Sequence, residues 1–380
     1  MAPTFDPGFS TSEMTVVFSA ESTVAAILEY EAALALALGD VGIAPADEAA
    51  AVAAACVEPL AKPEEILAST WEVGTPIIAV VAAIRSRLDD ESHRGWVHFG
   101  STSQDALDTG RMLQARQALG LLESSLVAVS RHLHTLVVEH RDQPQIGRTF
   151  LQDSRPTTFG ARAAGWLSPT LQNLVELRRR REQLAVQVGG PSGSLVELGP
   201  AASEFIEALA GRLGLKAPPV SWHTDRSPIW ALARSVEATS QSMSKIATDL
   251  ALLAQSSVAE VGVRAGGSSS MPEKRNPIDP VRVVAAASAC HGFASMLTGA
   301  RTGELDRGIG GWHTEWLALP MLFHTAAAAA EATGTCLGSL EVDGEKMSAG
   351  VDASGGHLEN ADPRLIDGVL ARFDEVVGAG

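Results

Sequence analysis

Residues 267–277 read GSSSMPEKRNP, a short polar run between two stretches of helical pattern. The run combines serine hydroxyls with Lys274, Arg275 and Asn276, whose side chains can hold carboxylates. Its glycine tolerates backbone angles that other residues avoid, which helps a loop close over a ligand. These features predict a mobile catalytic lid for a small anionic substrate. The alternative is an ordinary polar turn between helices.

Helical patterning extends from the lid in both directions over almost the whole chain. Residues 229–261 place apolar side chains at three- and four-residue intervals, and residues 280–297 continue the pattern beyond the lid. Almost no segment alternates as a strand would, so the predicted fold class is all-α, with a long central helical bundle. Several of the helices are apolar on more than one face, which indicates burial within an oligomer.

The same pattern divides the chain into three regions. Residues 1–103 are predicted to form an N-terminal helical domain. Residues 104–341 form a central domain of long helices, which carries the lid at 264–277. Residues 342–380 are rich in glycine and weakly patterned, and we expect them to form a reduced C-terminal region.

Composition argues against several classes of protein. The chain has 380 residues, of which 46% are hydrophobic, and its net charge of −16 argues against nucleic-acid and anionic-membrane partners. Three scattered cysteines without CxxC spacing exclude a disulfide framework and fit a cytoplasmic protein. No signal peptide or convincing membrane span is visible. No metal site is predicted, because His132 and His134 do not share a helix face.

Two further polar loops have a composition similar to that of the lid. Residues 96–105 read WVHFGSTSQD and residues 147–160 read GRTFLQDSRPTTFG, with hydroxyl and amide side chains suited to carboxylate binding. The first loop and the lid stand at predicted helix starts, where free N–H groups favour anions. In an antiparallel bundle the loops would point in opposite directions. Neighbouring subunits would then be needed to bring all three together.

These three loops, in this order, resemble the signature regions of the fumarase/aspartase superfamily, which includes argininosuccinate lyase. The lid is similar to that family's GSSxMPxKxNP signature, with Ser270 at the variable position. The resemblance covers roughly residues 10–345. It implies a homotetramer in which four subunits share one central helical bundle, and active sites that are each built from three chains.

Within the superfamily, three segments are most similar to bacterial enzymes that lactonize 3-carboxy-cis,cis-muconate in the breakdown of protocatechuate. They are GWL at 165–167, WHT at 222–224 and GIGGWHTEW at 308–316. This resemblance implies an intramolecular lyase that acts on a small tricarboxylate without a metal or other cofactor. In such a reaction a substrate carboxylate oxygen adds to a double bond. An acid then protonates the carbon next to another carboxylate.

The resemblance also implies roles for individual residues. Ser268 aligns with the family's catalytic lid serine and is the expected proton donor, with Lys274 as a second candidate. His98 is expected to act as an acid or as an electrostatic partner. The residues expected to bind the substrate are Ser101, Thr102, Ser103, Gln152, Thr158, Asn276, Arg307 and His313. The structural alternatives are a backbone-capping hydroxyl for Ser268, a surface position for Lys274 and a packing role for His98.

Phe150 departs from the pattern of many relatives. Many elimination lyases of the superfamily carry a histidine after the GRT of the second loop, where it serves the leaving group. A phenylalanine cannot transfer protons, and an internal addition releases no group, so Phe150 favours lactonization over elimination. Three alternatives stay open: lactonization of the 3-sulfo analogue, a fumarate-releasing lyase such as adenylosuccinate lyase, and a non-catalytic protein on the same scaffold.

Overall fold

The computed structural model describes residues 7–300, 303–356 and 363–378. Its α-helices are α1 (Ser12–Val17), α2 (Ala20–Asp40), α3 (Ala46–Ala55), α4 (Pro63–Ala68), α5 (Thr70–Val73), α6 (Ile77–Ser86), α7 (Glu91–Gly95), α8 (Ser103–Glu139), α9 (Phe159–Glu182), α10 (Ala202–Leu213), α11 (Ser227–Leu253), α12 (Ile278–Gly299), α13 (Gly311–Gly338), α14 (Gly344–Ala353) and α15 (Pro363–Val376). Its strands are β1 (Pro144–Thr149), β2 (Gln152–Thr158), β3 (Val261–Gly262), β4 (Ala265–Gly266), β5 (Asn276–Pro277) and β6 (Glu341–Val342). Each short strand pairs in an antiparallel ribbon, β1 with β2, β3 with β6 and β4 with β5.

The long helices pack side by side and confirm the predicted all-α class. Helix α8 packs against α9 and α13, and α12 packs between α11 and α13. The reason is visible in the sequence of α8, where apolar residues recur at three- and four-residue spacing and are fully buried: Leu119, Leu122, Leu126, Val129 and Leu133. Burial of one such stripe after another holds the bundle together.

The bundle has two ends, which carry different loops. The first end contains residues 96–108, 222–226 and 303–316, and there Arg226 contacts Asp108. The second end contains residues 144–158, 260–279 and 341–344. There β3 follows the end of α11 and pairs with β6, which follows the end of α13. Helix α8 runs from the first end to the second, so the two ends are separated by its length.

The second polar loop is a β-hairpin rather than an irregular loop. Strands β1 and β2 pair up to Thr149 and Gln152, and only Phe150 and Leu151 lie in the turn. Both turn residues have positive φ, 51° and 61°, as a two-residue turn of type I′ requires. Phe-Leu is not a residue pair typical of that turn, and the strand alternation is short. The hairpin therefore has no recognisable pattern in the sequence.

The C-terminal residues form more regular structure than their pattern indicated. Helix α15 packs against α8 and α9, where Phe373 stacks on His134 with ring centroids 4.2 Å apart. Arg178 donates from Nη1 to the carbonyl oxygen of Val376 at 2.6 Å. Apolar residues at 366, 369, 370, 373 and 376 supply a helical stripe, which the surrounding glycines obscured.

Helices α2 and α12 are long and apolar enough to pass for membrane spans by length and composition. Most of α2 is buried inside the fold. In contrast, only 33% of the most apolar stretch of α12 is buried. One face of α12 is exposed and carries small or apolar residues: Val281, Val284, Ala285, Ser288, Gly292, Ser295 and Met296. We call this surface the α12 face. Small side chains allow a second helix to approach closely.

Candidate active site

The first loop is held at the start of α8 by Asp105, which is fully buried. Thr102 is the N-cap of α8, and the Asp105 carboxylate accepts a hydrogen bond from the Thr102 N–H at 3.0 Å. The same carboxylate accepts from His223 Nε2 at 2.6 Å and from the Gly190 N–H at 2.9 Å. Four donors, including Gln187, therefore converge on one buried carboxylate. This arrangement fixes the loop against two distant segments.

The hydroxyl groups of the first loop meet a cation from the segment before α13. Arg307 donates from Nη1 to Thr102 Oγ1 at 2.9 Å, so the structure brings together two of the predicted binding residues. Ser101 Oγ lies 2.8 Å from the Tyr30 hydroxyl, and Ser103 begins α8. All three loop hydroxyl residues are partly exposed. The cluster can present one guanidinium and several donors to a carboxylate.

His98 lies on the same loop and is mostly buried. Its Nδ1 is 2.6 Å from Oε1 of Glu31, on α2. Burial lowers the pKa of His98, but the charge of Glu31 and its hydrogen bond outweigh that effect, so the pKa is raised above its ordinary value. The ring is therefore a carboxylate-paired imidazole beside the loop that carries Ser101 and Thr102.

His313 stands at the exposed start of α13, over a buried charge network. Its ring packs against Trp312 and Trp316, with centroids 5.0 and 4.7 Å away. Beneath it, Trp312 donates from Nε1 to Oδ1 of Asp108 at 2.9 Å.

That network centres on Arg226, which bridges two buried acids. It donates from Nη1 to Asp108 at 2.7 Å and from Nε to Glu315 at 2.9 Å. Burial raises the pKa of Glu315 to about 7, although Arg226 opposes that shift. The network ties the start of α13, which carries His313, to α8.

The lid lies at the second end as a hairpin closed by β4 and β5. Ser268 Oγ accepts a hydrogen bond from the Met271 N–H at 3.1 Å, and Asn276 donates from Nδ2 to the carbonyl oxygen of Gly267 at 3.1 Å. Ser268 is partly exposed and the Lys274 side chain is exposed. A donor to the Ser268 oxygen stabilises its deprotonated form, which helps that hydroxyl release a proton. The capping contact and the catalytic role are therefore compatible.

The β1–β2 hairpin carries the remaining predicted residues at the same end. Gln152 is exposed next to the turn, and Thr158 is the N-cap of α9, where its hydroxyl accepts from the Ala161 N–H at 3.0 Å. Phe150, at the tip, leaves 98% of its surface exposed. Gln152 of the hairpin and Lys274 of the lid are therefore exposed, whereas Thr158 is buried and caps α9.

One chain cannot bring these groups together. Helix α8 has 37 residues, which at 1.5 Å per residue separates the first loop from the hairpin by about 55 Å. Helix α11 has 27 residues, or about 40 Å, between Arg226 and the segment that leads to the lid. The tip of the lid is roughly five residues from its paired base, a reach of about 18 Å at most. Within one chain, the first loop and the lid therefore lie at opposite ends of the bundle.

The sequence did not indicate the buried acids that support the site. They are Glu31, Asp105, Asp108 and Glu315. Of these, Asp105 has a local signal, because Thr102 and Asp105 have the spacing of a helix capping box. Within the described residues, no three histidine, cysteine or acidic side chains group as metal ligands would.

Comparisons with known proteins find cycloisomerases and lyases that are similar over most of the chain. A family model described as a lyase matches residues 8–291. The chain is 38% identical to 3-carboxy-cis,cis-muconate cycloisomerase of Pseudomonas aeruginosa, over 90% of this chain and 76% of that protein. It is 35% identical to nitrosuccinate lyase of Streptomyces davaonensis, over 88% and 74%. The crystal structure of the 3-carboxy-cis,cis-muconate lactonizing enzyme from Pseudomonas putida has a TM-score of 0.84 at 34% identity, covering 92% of this chain and 80% of that one.

Proposed function

The chain belongs to the fumarase/aspartase superfamily, and from that membership we propose that it is a cycloisomerase, an intramolecular lyase that converts 3-carboxy-cis,cis-muconate to a carboxymuconolactone. The observation that carries the proposal is the exposed Phe150 at the hairpin tip, whose side chain cannot give a proton to a leaving group. Similarity to cycloisomerases over most of the chain supports the same reaction. The enzyme would serve the breakdown of aromatic compounds through protocatechuate.

The chemistry follows from the donors at the two ends. A carboxylate oxygen of the substrate adds to a double bond, and the electron pair moves onto the carbon next to another carboxylate. Ser268, or Lys274 six residues further on, gives that carbon a proton. Arg307, His98 and the N–H groups at the start of α8 would hold substrate carboxylates while charge develops. The ionised substrate gains one proton, which the donor then regains from solvent, and no electrons are gained or lost, so the step requires no redox cofactor.

We propose that the protein is a homotetramer and that each site combines loops from different subunits. The separation of the two ends along α8 supports this, since loop and lid cannot meet within one chain. The exposed α12 face supports it too, because small residues such as Ser288 and Gly292 suit close helix contact. The strained and exposed Phe150–Leu151 turn would then be buried by a neighbouring subunit.

The α12 face is better explained by a protein partner than by a membrane. At its edge, His291 Nδ1 lies 2.6 Å from Oε1 of Glu237, and the Glu237 side chain is only 7% exposed. A histidine–carboxylate pair halfway along a helix is costly in hydrocarbon, whereas it suits an interface between subunits. All three cysteines are free and buried. We therefore place the enzyme in the cytoplasm, without nucleic-acid or membrane partners.

The direct test is incubation of the purified protein with 3-carboxy-cis,cis-muconate. We expect the absorbance of the conjugated diene to disappear, because lactone formation removes one of its double bonds, and product analysis should identify a lactone. Parallel assays with 3-sulfomuconate should give a lower kcat/KM. Unchanged absorbance at high enzyme concentration would refute the proposal. Fumarate release from adenylosuccinate would favour an elimination lyase instead.

A change on the α12 face tests the proposed assembly. Ser288→Arg places a long cation on that face, and we expect it to convert the tetramer into smaller species and to abolish activity. Sedimentation velocity and the diene assay at the same protein concentration measure the two effects.

Ser124→Arg is the matched control, because both serines are exposed in mid-helix and bond back to the carbonyl four residues earlier, at 2.9 and 3.0 Å. Ser124 lies on the polar surface of α8, so its variant should stay tetrameric and active. An active tetramer of Ser288→Arg would contradict the assignment of this face.

A further inference from the structure

Glu31 is a buried acid in helix α2, and its environment is unusual. Only 1% of the residue is exposed. Its Oε1 pairs with His98, but Oε2 is buried without a hydrogen-bond partner among the described residues. A buried carboxylate oxygen without a partner destabilises a fold. Such a group is expected where function requires the charge.

We propose that Glu31 is the positioning residue of the active site, which fixes the ring and the proton of His98 so that His98 presents a donor to a substrate carboxylate. The identity of the substrate in this inference rests on the proposed function. The tautomer and protonation of His98 do not depend on it. Glu31 itself touches no substrate in this scheme and acts only through the imidazole.

The hydrogen bond determines which nitrogen of His98 carries a proton. An ionised carboxylate can only accept, so Nδ1–H must donate to Glu31 Oε1. Nε2 has no hydrogen bond to any described residue, and the His98 side chain keeps 16% of its surface exposed. Nε2 is therefore the nitrogen left for a ligand, as a donor in the charged ring and as an acceptor in the neutral ring.

The backbone adds a second constraint on the same ring. His98 has φ of 62°, in the left-handed region that side chains other than glycine adopt infrequently. Tyr30, next to Glu31 on α2, holds Ser101 through a contact of 2.8 Å. Two adjacent residues of α2 thus anchor two residues of one strained loop, which keeps the imidazole in place before substrate binds.

Three charged groups face His98 from the elements packed around it. Glu31 of α2 and Asp105 of α8 raise its pKa, whereas Arg85 of α6 lowers it. Burial is the largest effect and lowers the pKa, so the raised value depends on Glu31. Without that carboxylate, burial should prevail and the imidazole should lose its charge near neutral pH.

The test is a proton titration of His98 by nuclear magnetic resonance of the isotope-labelled intact protein, assigned by comparison with His98→Gln. In the unchanged protein we expect a pKa above the ordinary value for histidine and, once neutral, the less common tautomer with hydrogen on Nδ1. In Glu31→Gln the pKa should fall below the ordinary value. Glu31→Asp keeps the charge and should restore most of the shift.

Two controls separate charge from packing. Tyr30→Phe removes the neighbouring hydrogen bond without removing a charge, so the pKa of His98 should stay raised. His324, whose pKa is lowered by burial, serves as the internal reference and should not move in any variant. A neutral His98 with hydrogen on Nε2, or an unchanged pKa in Glu31→Gln, would overturn the proposal.

The pH dependence of kcat/KM is an independent test of the role of Glu31. For Glu31→Gln we expect kcat/KM on 3-carboxy-cis,cis-muconate to fall roughly 10- to 100-fold at pH 7.5, and much less at a pH below the His98 pKa that the titration gives for the variant, where His98 is charged in both proteins. A loss of the same size at both pH values would indicate a merely structural role and would overturn the proposal. If muconate is not a substrate at all, the titration still decides the role of Glu31, so the two failures are distinguishable.

Discussion

Mixing two inactive variants, Ser268→Ala and Arg307→Ala, is expected to restore about a quarter of the wild-type activity. Alone, Ser268→Ala should lower kcat by about 10²- to 10⁴-fold, the usual contribution of a positioned proton donor. Arg307→Ala should be similarly impaired, because it removes a carboxylate-binding cation and its hydrogen bond to Thr102. Restoration follows because the two residues lie at opposite ends of the bundle and would serve one site from different chains.

The expected fraction comes from random reassembly of subunits. A given site takes its first loop and Arg307 from one chain and its lid from another. In an equal mixture each contribution is native with a probability of about one half, so about one quarter of the sites have both. The measurement is the diene assay after the variants have been dissociated and reassembled together, with sedimentation to confirm that mixed tetramers have formed.

The matched control uses two changes in the same lid. Ser268→Ala mixed with Lys274→Ala should give no more activity than the two variants measured separately, because every lid in the mixture carries one change. Equal recovery from both mixtures would mean that recovery does not come from shared sites. Absence of recovery from Ser268→Ala with Arg307→Ala, in well-formed mixed tetramers, would place the whole site within one chain and refute the shared arrangement.

The helical framework could be predicted because it depends on local sequence. The buried stripe of α8 recurs at helical spacing, and the starts of α8 and α12 follow polar loops as predicted. The hairpin at Phe150 could not be predicted, because its turn lacks the glycine or asparagine that normally marks type I′ geometry. Helix α15 was obscured by glycines, although its apolar residues have helical spacing.

Only part of the candidate site could be predicted from the sequence. Hydroxyl, amide and cationic residues in the three loops were found because they lie close together within signature motifs. The acids that position them were not, because each partner is distant in the chain: Glu31 is 67 residues from His98, and Glu315 is 89 residues from Arg226. No local pattern distinguishes such an acid from a solvated one. Its role becomes visible only when burial and partner are known together.

Arg226 is the residue whose loss should destabilise the fold most among the charged groups near the site. Its side chain is 2% exposed and forms salt bridges to two acids, Asp108 and Glu315. Both acids are also buried. Removing one member of a buried ion group leaves the others without compensation, which typically costs about 3–5 kcal/mol. We therefore expect Arg226→Met, which keeps much of the apolar volume, to lower the free energy of unfolding by about that amount.

The loss should depend on pH in a defined direction. Burial already raises the pKa of Glu315 to about 7, and Arg226 holds it from rising further. Without Arg226 the pKa of Glu315 in the folded variant should rise further. Between the ordinary carboxyl pKa and this raised pKa, Glu315 keeps its proton in the folded variant but loses it in the unfolded chain. Such a group favours the folded state at low pH and progressively less as pH rises through its folded pKa. The difference between variant and wild type should therefore be smaller at pH 5 than at pH 8.

Urea unfolding at one protein concentration, at pH 5 and pH 8, measures both expectations. The matched control is Arg212→Met, since Arg212 also makes two hydrogen bonds of 2.6 Å to one acid, Asp40, but on the surface. A surface pair contributes at most about 1 kcal/mol, so this variant should lose little stability at either pH. Equal losses in the two variants, or a loss in Arg226→Met that does not grow with pH, would contradict the assignment. The buried guanidinium would then not be what holds the start of α13 against α8, and the position of His313 would depend on the packing of Trp312 and Trp316 alone.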